Sequence, residues 1–105
     1  MQRVVKLIKV QDYKRLILQE KFFEAHEVLE EFWFPRRREK DDTTLIVKGF
    51  INAAVAFELK KRGREEKALM VWKTYKKFAK KISVEDEEFL LLKGFIDNYA
   101  NSYLL

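Results

Sequence analysis

The chain contains one histidine, His26, and Glu30 follows it one helical turn later. Both residues lie in the segment 22–33, where apolar residues recur at helical spacing. On a helix of 3.6 residues per turn, His26 and Glu30 share one side and are bordered by apolar residues. A carboxylate beside a histidine fixes its tautomer and can make the ring a proton acceptor or a metal ligand. We therefore expect a partly buried histidine–carboxylate pair.

A second helix offers this pair a partner. Asn52 is the only neutral polar side chain in the apolar stretch 45–59, and a buried amide needs hydrogen-bond partners. We therefore expect Asn52 to face His26 and Glu30, forming a polar pocket between helices that binds a small ligand or an ion. In a hydrolytic reaction His26 would act as the base. The candidate pocket comprises His26, Glu27, Glu30, Trp33, Lys48 and Asn52.

Two other interpretations of His26 stay open. The segment His26-Glu27-x-x-Glu30 resembles the zinc-protease pattern H-E-x-x-H only loosely, because a glutamate replaces the second histidine. A metal held by His26 and Glu30 would be a harder cation than zinc. Alternatively, the pair is a structural hydrogen bond between helices. The sequence has no serine or cysteine nucleophile motif and no glycine-rich phosphate loop, so it leaves open whether the protein is an enzyme.

A basic surface is the second candidate site. The stretch 43–82 holds eleven Lys or Arg against three Asp or Glu, whereas the stretch 83–105 has a net charge of −4. Such a surface could bind nucleic acid or an acidic partner, but no aromatic residues interleave to stack on bases, and a solvated surface is the simpler interpretation. The candidate basic face comprises Lys73, Lys76, Lys77 and Lys80. A third hypothesis is self-association through the C-terminal residues Tyr99, Tyr103, Leu104 and Leu105.

The composition predicts one helical domain over residues 1–105. The chain is 48% hydrophobic, and its three glycines and one proline are too few for a turn-rich β fold. We expect an all-α, compact up-and-down bundle of about five helices, with residues 1–11 forming an arm or a short helix. After this segment, the first four expected helices cover residues 12–19, 22–33, 43–62 and 65–82. Asp12 is expected to cap the first of these helices, and Thr43 or Thr44 the third. The last helix is expected to begin at a Ser83–Asp86 capping box and to end near Tyr103.

The chain has no cysteine, which suits a reducing compartment. Its most apolar stretch is shorter than the roughly 20 residues needed to cross a bilayer, and the N-terminal residues carry charges throughout. We therefore expect a soluble, cytoplasmic protein without a membrane partner.

The segment Phe22–Trp33 resembles the hallmark F-x-x-A-H-E-x-L-E-x-x-W of a family of small bacterial and archaeal proteins, catalogued as domain of unknown function 309. A second family block, with the pattern G-L-I-Q-x-A-A, resembles residues 48–56, and a third resembles Arg62-Gly63 followed by residues 67–69. The resemblance extends from about residue 12 to residue 82.

This resemblance implies a compact bundle of about five helices and no established activity. It also implies that the family's signature positions are those of His26, Glu27, Glu30, Trp33 and Asn52. The chain departs from the family pattern in two places. Asn52 stands where the family favours Gln, and a common His or Tyr late in the third helix is replaced near residues 57–59, which weakens a metal-site interpretation.

Overall fold

The computed structural model describes the backbone of residues 2–105 and the side chains of residues 9–105. Within these residues the chain forms helices and no strand, which confirms the predicted all-α bundle. The helices are α1 (Gln2–Leu18), α2 (Phe22–Trp33), α3 (Asp42–Lys61), α4 (Glu65–Ala79) and α5 (Glu87–Tyr103). Met1 and the side chains of residues 2–8 lie outside the described part.

Helix α3 is the centre of the bundle and packs against both α2 and α4. Ten of its twenty residues are buried, as expected for a helix that is apolar nearly all round. Gly49 lies directly against α4, where an added Cβ would be only 2.9 Å from the Cβ of Phe78. The missing side chain therefore sets how closely α3 and α4 approach each other.

A cluster of aromatic rings joins four helices around Phe57 of α3. Its ring centroid lies between 5.1 and 6.0 Å from those of Phe22, Trp72, Tyr99 and Tyr103. Tilted and edge-on rings at these separations attract each other in addition to burying apolar area. The cluster holds Phe22 fully buried, and thereby fixes the start of the helix that carries His26.

Two buried tyrosines form hydrogen bonds that link helices. The hydroxyl of Tyr13 donates to the carbonyl oxygen of Phe50 at 2.6 Å, and that of Tyr75 donates to Oδ1 of Asp97 at 2.9 Å. The other oxygen of Asp97 accepts from Nζ of Lys93 at 2.8 Å. Burial raises the pKa of both tyrosines, and the Asp97 carboxylate raises the pKa of Tyr75 further. Both hydroxyls are therefore neutral donors that tie α1 to α3 and α4 to α5.

The predicted N-terminal caps of α3 and α5 were wrong. Asp41, rather than Thr43 or Thr44, caps α3, since its carboxylate accepts from the backbone N–H of Thr44 at 3.1 Å. Asp86 caps α5 by accepting from the N–H of Phe89 at 3.3 Å. Residues 83–86 form a turn instead of a first helical turn, because the carbonyl of residue 83 accepts from the N–H of Asp86.

Three boundaries also differ from the prediction. Helix α1 extends from Gln2 to Leu18, so Asp12 lies within a helix and caps nothing. Helix α4 ends at Ala79, three residues early. A 3-10 turn, Phe34–Arg36, continues from α2 through Pro35. None of the described helices is long and apolar enough to cross a lipid bilayer.

Candidate functional site

The sequence of α2 places His26 and Glu30 on adjacent turns, and their side chains meet. Nε2 of His26 lies 3.2 Å from Oε1 of Glu30. The His26 side chain is 19% exposed and that of Glu30 is 40% exposed. The predicted pair is therefore present, with the imidazole partly buried and the carboxylate at the edge of solvent.

The other ring nitrogen of His26 is held by the backbone. Nδ1 lies 3.2 Å from the carbonyl oxygen of Phe23, one turn earlier in α2. Because a carbonyl oxygen only accepts hydrogen bonds, Nδ1 carries the proton in this arrangement. In the neutral ring Nε2 is then an acceptor, whereas in the imidazolium it donates towards Glu30. Nε2 is therefore the ring nitrogen that can change between accepting and donating a hydrogen bond.

His26 borders a cleft between α2 and α3 with a volume of about 260 Å³. Its apolar wall is formed by Phe22, Phe23 and Val55, and its polar rim by Glu58 and Arg62. Nε of Arg62 donates to Oε2 of Glu58 at 2.7 Å. We call these five residues together with His26 the His26 cleft. It combines an apolar wall, an imidazole and a guanidinium paired with a carboxylate within one small space.

The turn between α1 and α2 fixes where this cleft lies. Glu20 adopts φ of +57° and closes α1, with its N–H donating to Ile17 and the N–H of Lys21 donating to Leu16. This bonding pattern commonly ends a helix, usually with glycine at the left-handed position. Nζ of Lys61 donates to the Glu20 carbonyl at 2.9 Å, which attaches the turn to the end of α3. Helix α2 therefore starts beside the end of α3.

The structure does not link Asn52 to the histidine by a hydrogen bond. Nδ2 of Asn52 is buried and has no hydrogen-bond partner among the described residues. Lys48, one turn earlier in α3, instead places its Nζ 4.5 Å from the ring centroid of Trp33. The predicted pocket residues thus form two separate pairs, His26 with Glu30 and Lys48 with Trp33, and Asn52 joins neither through a hydrogen bond.

Glu27 is exposed on the outer side of α2, away from the His26 cleft. It lines a shallow depression of about 610 Å³ together with Glu24, Glu30, Glu31, Val28 and Phe34. Five residues of the His26 cleft were not among the predicted pocket residues: Phe22, Phe23, Val55, Glu58 and Arg62. The last three recur at intervals of three and four residues, so they share one side of α3. This spacing was the feature of the sequence that could have predicted that they lie together.

A metal site would need more ligands than this pair provides. Within residues 9–105 no group of three or more His, Cys, Asp or Glu side chains is arranged to hold a metal ion. His26 and Glu30 alone would supply two ligands, fewer than the three protein ligands of catalytic zinc sites. Ion binding at His26 and Glu30 stays a prediction.

The four lysines of the predicted basic face are all exposed: Lys73, Lys76, Lys77 and Lys80. In the described part of the chain none of them forms an ion pair. Leu69 and Met70 are exposed near the start of the same helix. Of the four C-terminal residues considered for self-association, Tyr99 and Tyr103 are half-buried, Leu104 is buried, and Leu105 is mostly exposed.

No curated protein and no solved structure shows significant similarity to the chain. A family described as a domain of unknown function, DUF309, matches residues 10–71. The matched region contains α2, α3 and the first half of α4, and with them the whole His26 cleft. Since this region is more than half of the sequence, the chain belongs to the DUF309 family.

Proposed function

We propose that the protein binds a small organic ligand in the His26 cleft, with Nε2 of His26 contacting the polar group of the ligand. The observation that carries this proposal is the difference between the hydrogen-bond partners of the two imidazole nitrogens. Nδ1 is held by the Phe23 carbonyl, whereas the polar partner of Nε2 among the described residues is the partly exposed carboxylate of Glu30. A ligand group that accepts hydrogen bonds can therefore replace Glu30 as the partner of Nε2–H of the imidazolium, without disturbing the helix.

The lining of the cleft supports a particular class of ligand. At about 260 Å³ the cleft is slightly smaller than the roughly 300–1,000 Å³ of most ligand pockets, so the ligand is a small one. Phe22, Phe23 and Val55 suit an apolar portion. Arg62 uses Nε on Glu58, and its remaining N–H groups suit a carboxylate. The ligand we infer is a small cytoplasmic carboxylic acid with an aromatic or branched aliphatic part.

The same pair would support hydrolysis of a bound ester or amide. A water attacking the carbonyl carbon would pass its proton to Nε2 of neutral His26, and the nearby Glu30 carboxylate would stabilise the resulting imidazolium. The imidazolium would return this proton to the leaving oxygen or nitrogen as the ester or amide bond breaks, which releases the acid and an alcohol or amine. Binding is the primary proposal, and hydrolysis depends on it.

Ligand-observed NMR with four probes tests the binding proposal: benzoate, isobutyrate, phenol and benzylamine. We expect saturation transfer to benzoate and isobutyrate, and little to benzylamine, because the rim offers a guanidinium to an anion. Val55→Trp fills the cleft without touching His26 and should abolish the transfer. Leu91→Trp, at an exposed position on α5, is the matched control and should preserve it.

A second variant separates binding from folding. Phe23 is about half exposed, so Phe23→Ala should leave the fold intact and weaken binding by removing one wall of the cleft. Equal saturation transfer in the wild type, Val55→Trp and Phe23→Ala would show that the probes bind elsewhere. No transfer to any of the four probes would contradict the inferred ligand class.

A further inference from the structure

Helix α2 carries an exposed acidic face that the His26 cleft does not use. Glu24, Glu27 and Glu31 are exposed along it, and Phe34 follows at its C-terminal end with 56% exposure. Glu31 accepts from Nζ of Lys9 at 3.0 Å and is still mostly exposed. These side chains line the depression of about 610 Å³ described above. The surface is thus acidic, concave and closed at one end by an aromatic ring.

Helix α4 carries a basic face of the same length. Lys73, Lys77 and Lys80 are exposed and have no ion-pair partner in the described part of the chain. Met70 precedes them at one end of the face and is 67% exposed. The first and last charged residues of each face, Glu24 and Glu31 or Lys73 and Lys80, are seven positions apart, or about 10.5 Å along a helix at 1.5 Å per residue.

The two faces match in one antiparallel alignment. If α2 and α4 are laid side by side in opposite directions, every exposed acid meets a lysine and the two apolar side chains meet each other. The opposed pairs are Glu24 with Lys80, Glu27 with Lys77, Glu31 with Lys73, and Phe34 with Met70. Methionine sulfur against an aromatic ring is a favourable contact, and opposite charges in this order fix the register of two helices.

These two faces cannot meet within one chain, because both are exposed while their helices pack on α3. We propose that the acidic face of α2 on one copy of the protein binds the basic face of α4 on a second copy. The contact uses a different surface on each copy, so it is either made twice in a two-fold dimer or repeated head-to-tail in a ring or an open chain, and the sedimentation coefficient distinguishes these assemblies.

The association is weak and depends on salt. Its attraction comes mainly from exposed charge pairs, which are screened over about 10 Å at 0.1 M ionic strength. Arg37 stacks on Phe34 at 3.9 Å from the ring centroid, which leaves one face of that ring for Met70. We expect the apparent dissociation constant to increase at least about tenfold between low and high salt.

Sedimentation velocity with paired charge reversals tests the proposal. One variant combines Glu24→Lys with Glu27→Lys, and the other combines Lys77→Glu with Lys80→Glu. All four positions are exposed, so both variants should fold, which circular dichroism checks. Each variant alone should stay monomeric at low salt where the wild type associates, and an equimolar mixture should associate again, since each altered face then meets its complement.

A control variant, Glu85→Lys with Glu87→Lys, changes the net charge by the same amount as the Glu24/Glu27 variant, at exposed positions outside both faces, and should associate as the wild type does. A wild type that is monomeric at low salt would overturn the proposal, as would a mixture that stays monomeric or a lysine reversal without effect.

Binding of a short single-stranded RNA to the wild type and to the two variants is measured as well. RNA that binds the wild type and the Glu24/Glu27 variant but not the lysine variant, with no self-association, would assign the basic face to nucleic acid instead.

Discussion

Gly49 and Gly94 occupy equivalent places in two similar pentapeptides, Lys48-Gly49-Phe50-Ile51-Asn52 and Lys93-Gly94-Phe95-Ile96-Asp97, and we predict opposite effects of alanine at the two positions. An added Cβ at Gly49 would lie 2.9 Å from the Cβ of Phe78, whereas one at Gly94 would meet no atom of the described residues within 4 Å. Because the two local sequences are similar, the packing around each glycine decides whether alanine stabilises or destabilises the protein.

The magnitude follows from two opposing effects. Replacing glycine by alanine inside a helix stabilises the protein by about 0.5–1 kcal/mol. At Gly49 this gain is outweighed, because overpacking a core typically costs about 1–3 kcal/mol and the Cβ of Phe78 cannot rotate away from the new methyl group. We therefore expect Gly49→Ala to lower the free energy of unfolding by about 1 kcal/mol, and Gly94→Ala to raise it by up to about 1 kcal/mol.

Urea unfolding followed by circular dichroism measures both changes. The denaturation midpoints should move in opposite directions with an unchanged m value, and the melting temperatures should differ by roughly 10 °C. A Gly49→Ala variant as stable as Gly94→Ala would refute the reasoning, because it would show that α3 and α4 have room for a methyl group between them.

Three further predictions concern stability. Glu20→Gly should raise the free energy of unfolding by about 1 kcal/mol in urea unfolding, because glycine adopts the positive φ of this position without steric cost; Glu20→Ala, the control, should bring no such gain. The hydrogen bonds from Thr44 lower the pKa of Asp41 in the folded protein, so the stabilisation by this cap is present above the ordinary pKa of 3.8 and is lost as the pH falls through the lowered pKa. Asp41→Asn should therefore weaken the dependence of the melting temperature on acidic pH. A melting temperature that falls with acid as steeply as in the wild type would contradict this. Burial raises the pKa of four tyrosines, that of Tyr99 to about 12. Above pH 10 the unfolded chain therefore loses protons that the folded one keeps, and the melting temperature should fall between pH 10 and 12. Most of the phenolate absorbance in this range should appear on unfolding. These tyrosines are Tyr13, Tyr75, Tyr99 and Tyr103.

The local features of the site could be predicted from the sequence. The bounds of α2 agree with the prediction, because its apolar spacing is regular and Pro35 follows closely. The contact between His26 and Glu30 follows from their separation by four residues within one helix. Neither feature depends on how the helices are arranged in space.

The contacts between helices could not be predicted in the same way. Helix α3 is apolar nearly all round, so its pattern does not tell which side faces α2 and which faces α4. The expectation that Asn52 bonds to His26 depended on that rotation, and the structure shows Val55, Glu58 and Arg62 beside the histidine instead. The cap of α3 was missed for a local reason, since Asp41 and two threonines compete within four residues and a side chain bonds only where the backbone turns.

The protein-observed NMR spectrum of the imidazole tests the central claim most directly, because His26 is the only histidine in the chain and its two ring nitrogens give one resolvable pair of signals. We predict that saturating benzoate shifts the Nε2 signal strongly and the Nδ1 signal little, since Nδ1 stays bonded to the Phe23 carbonyl. The same titration of Val55→Trp should shift neither signal. If both ring nitrogens of the wild type keep their chemical shifts at saturation, the ligand does not contact His26 and the proposed function is wrong.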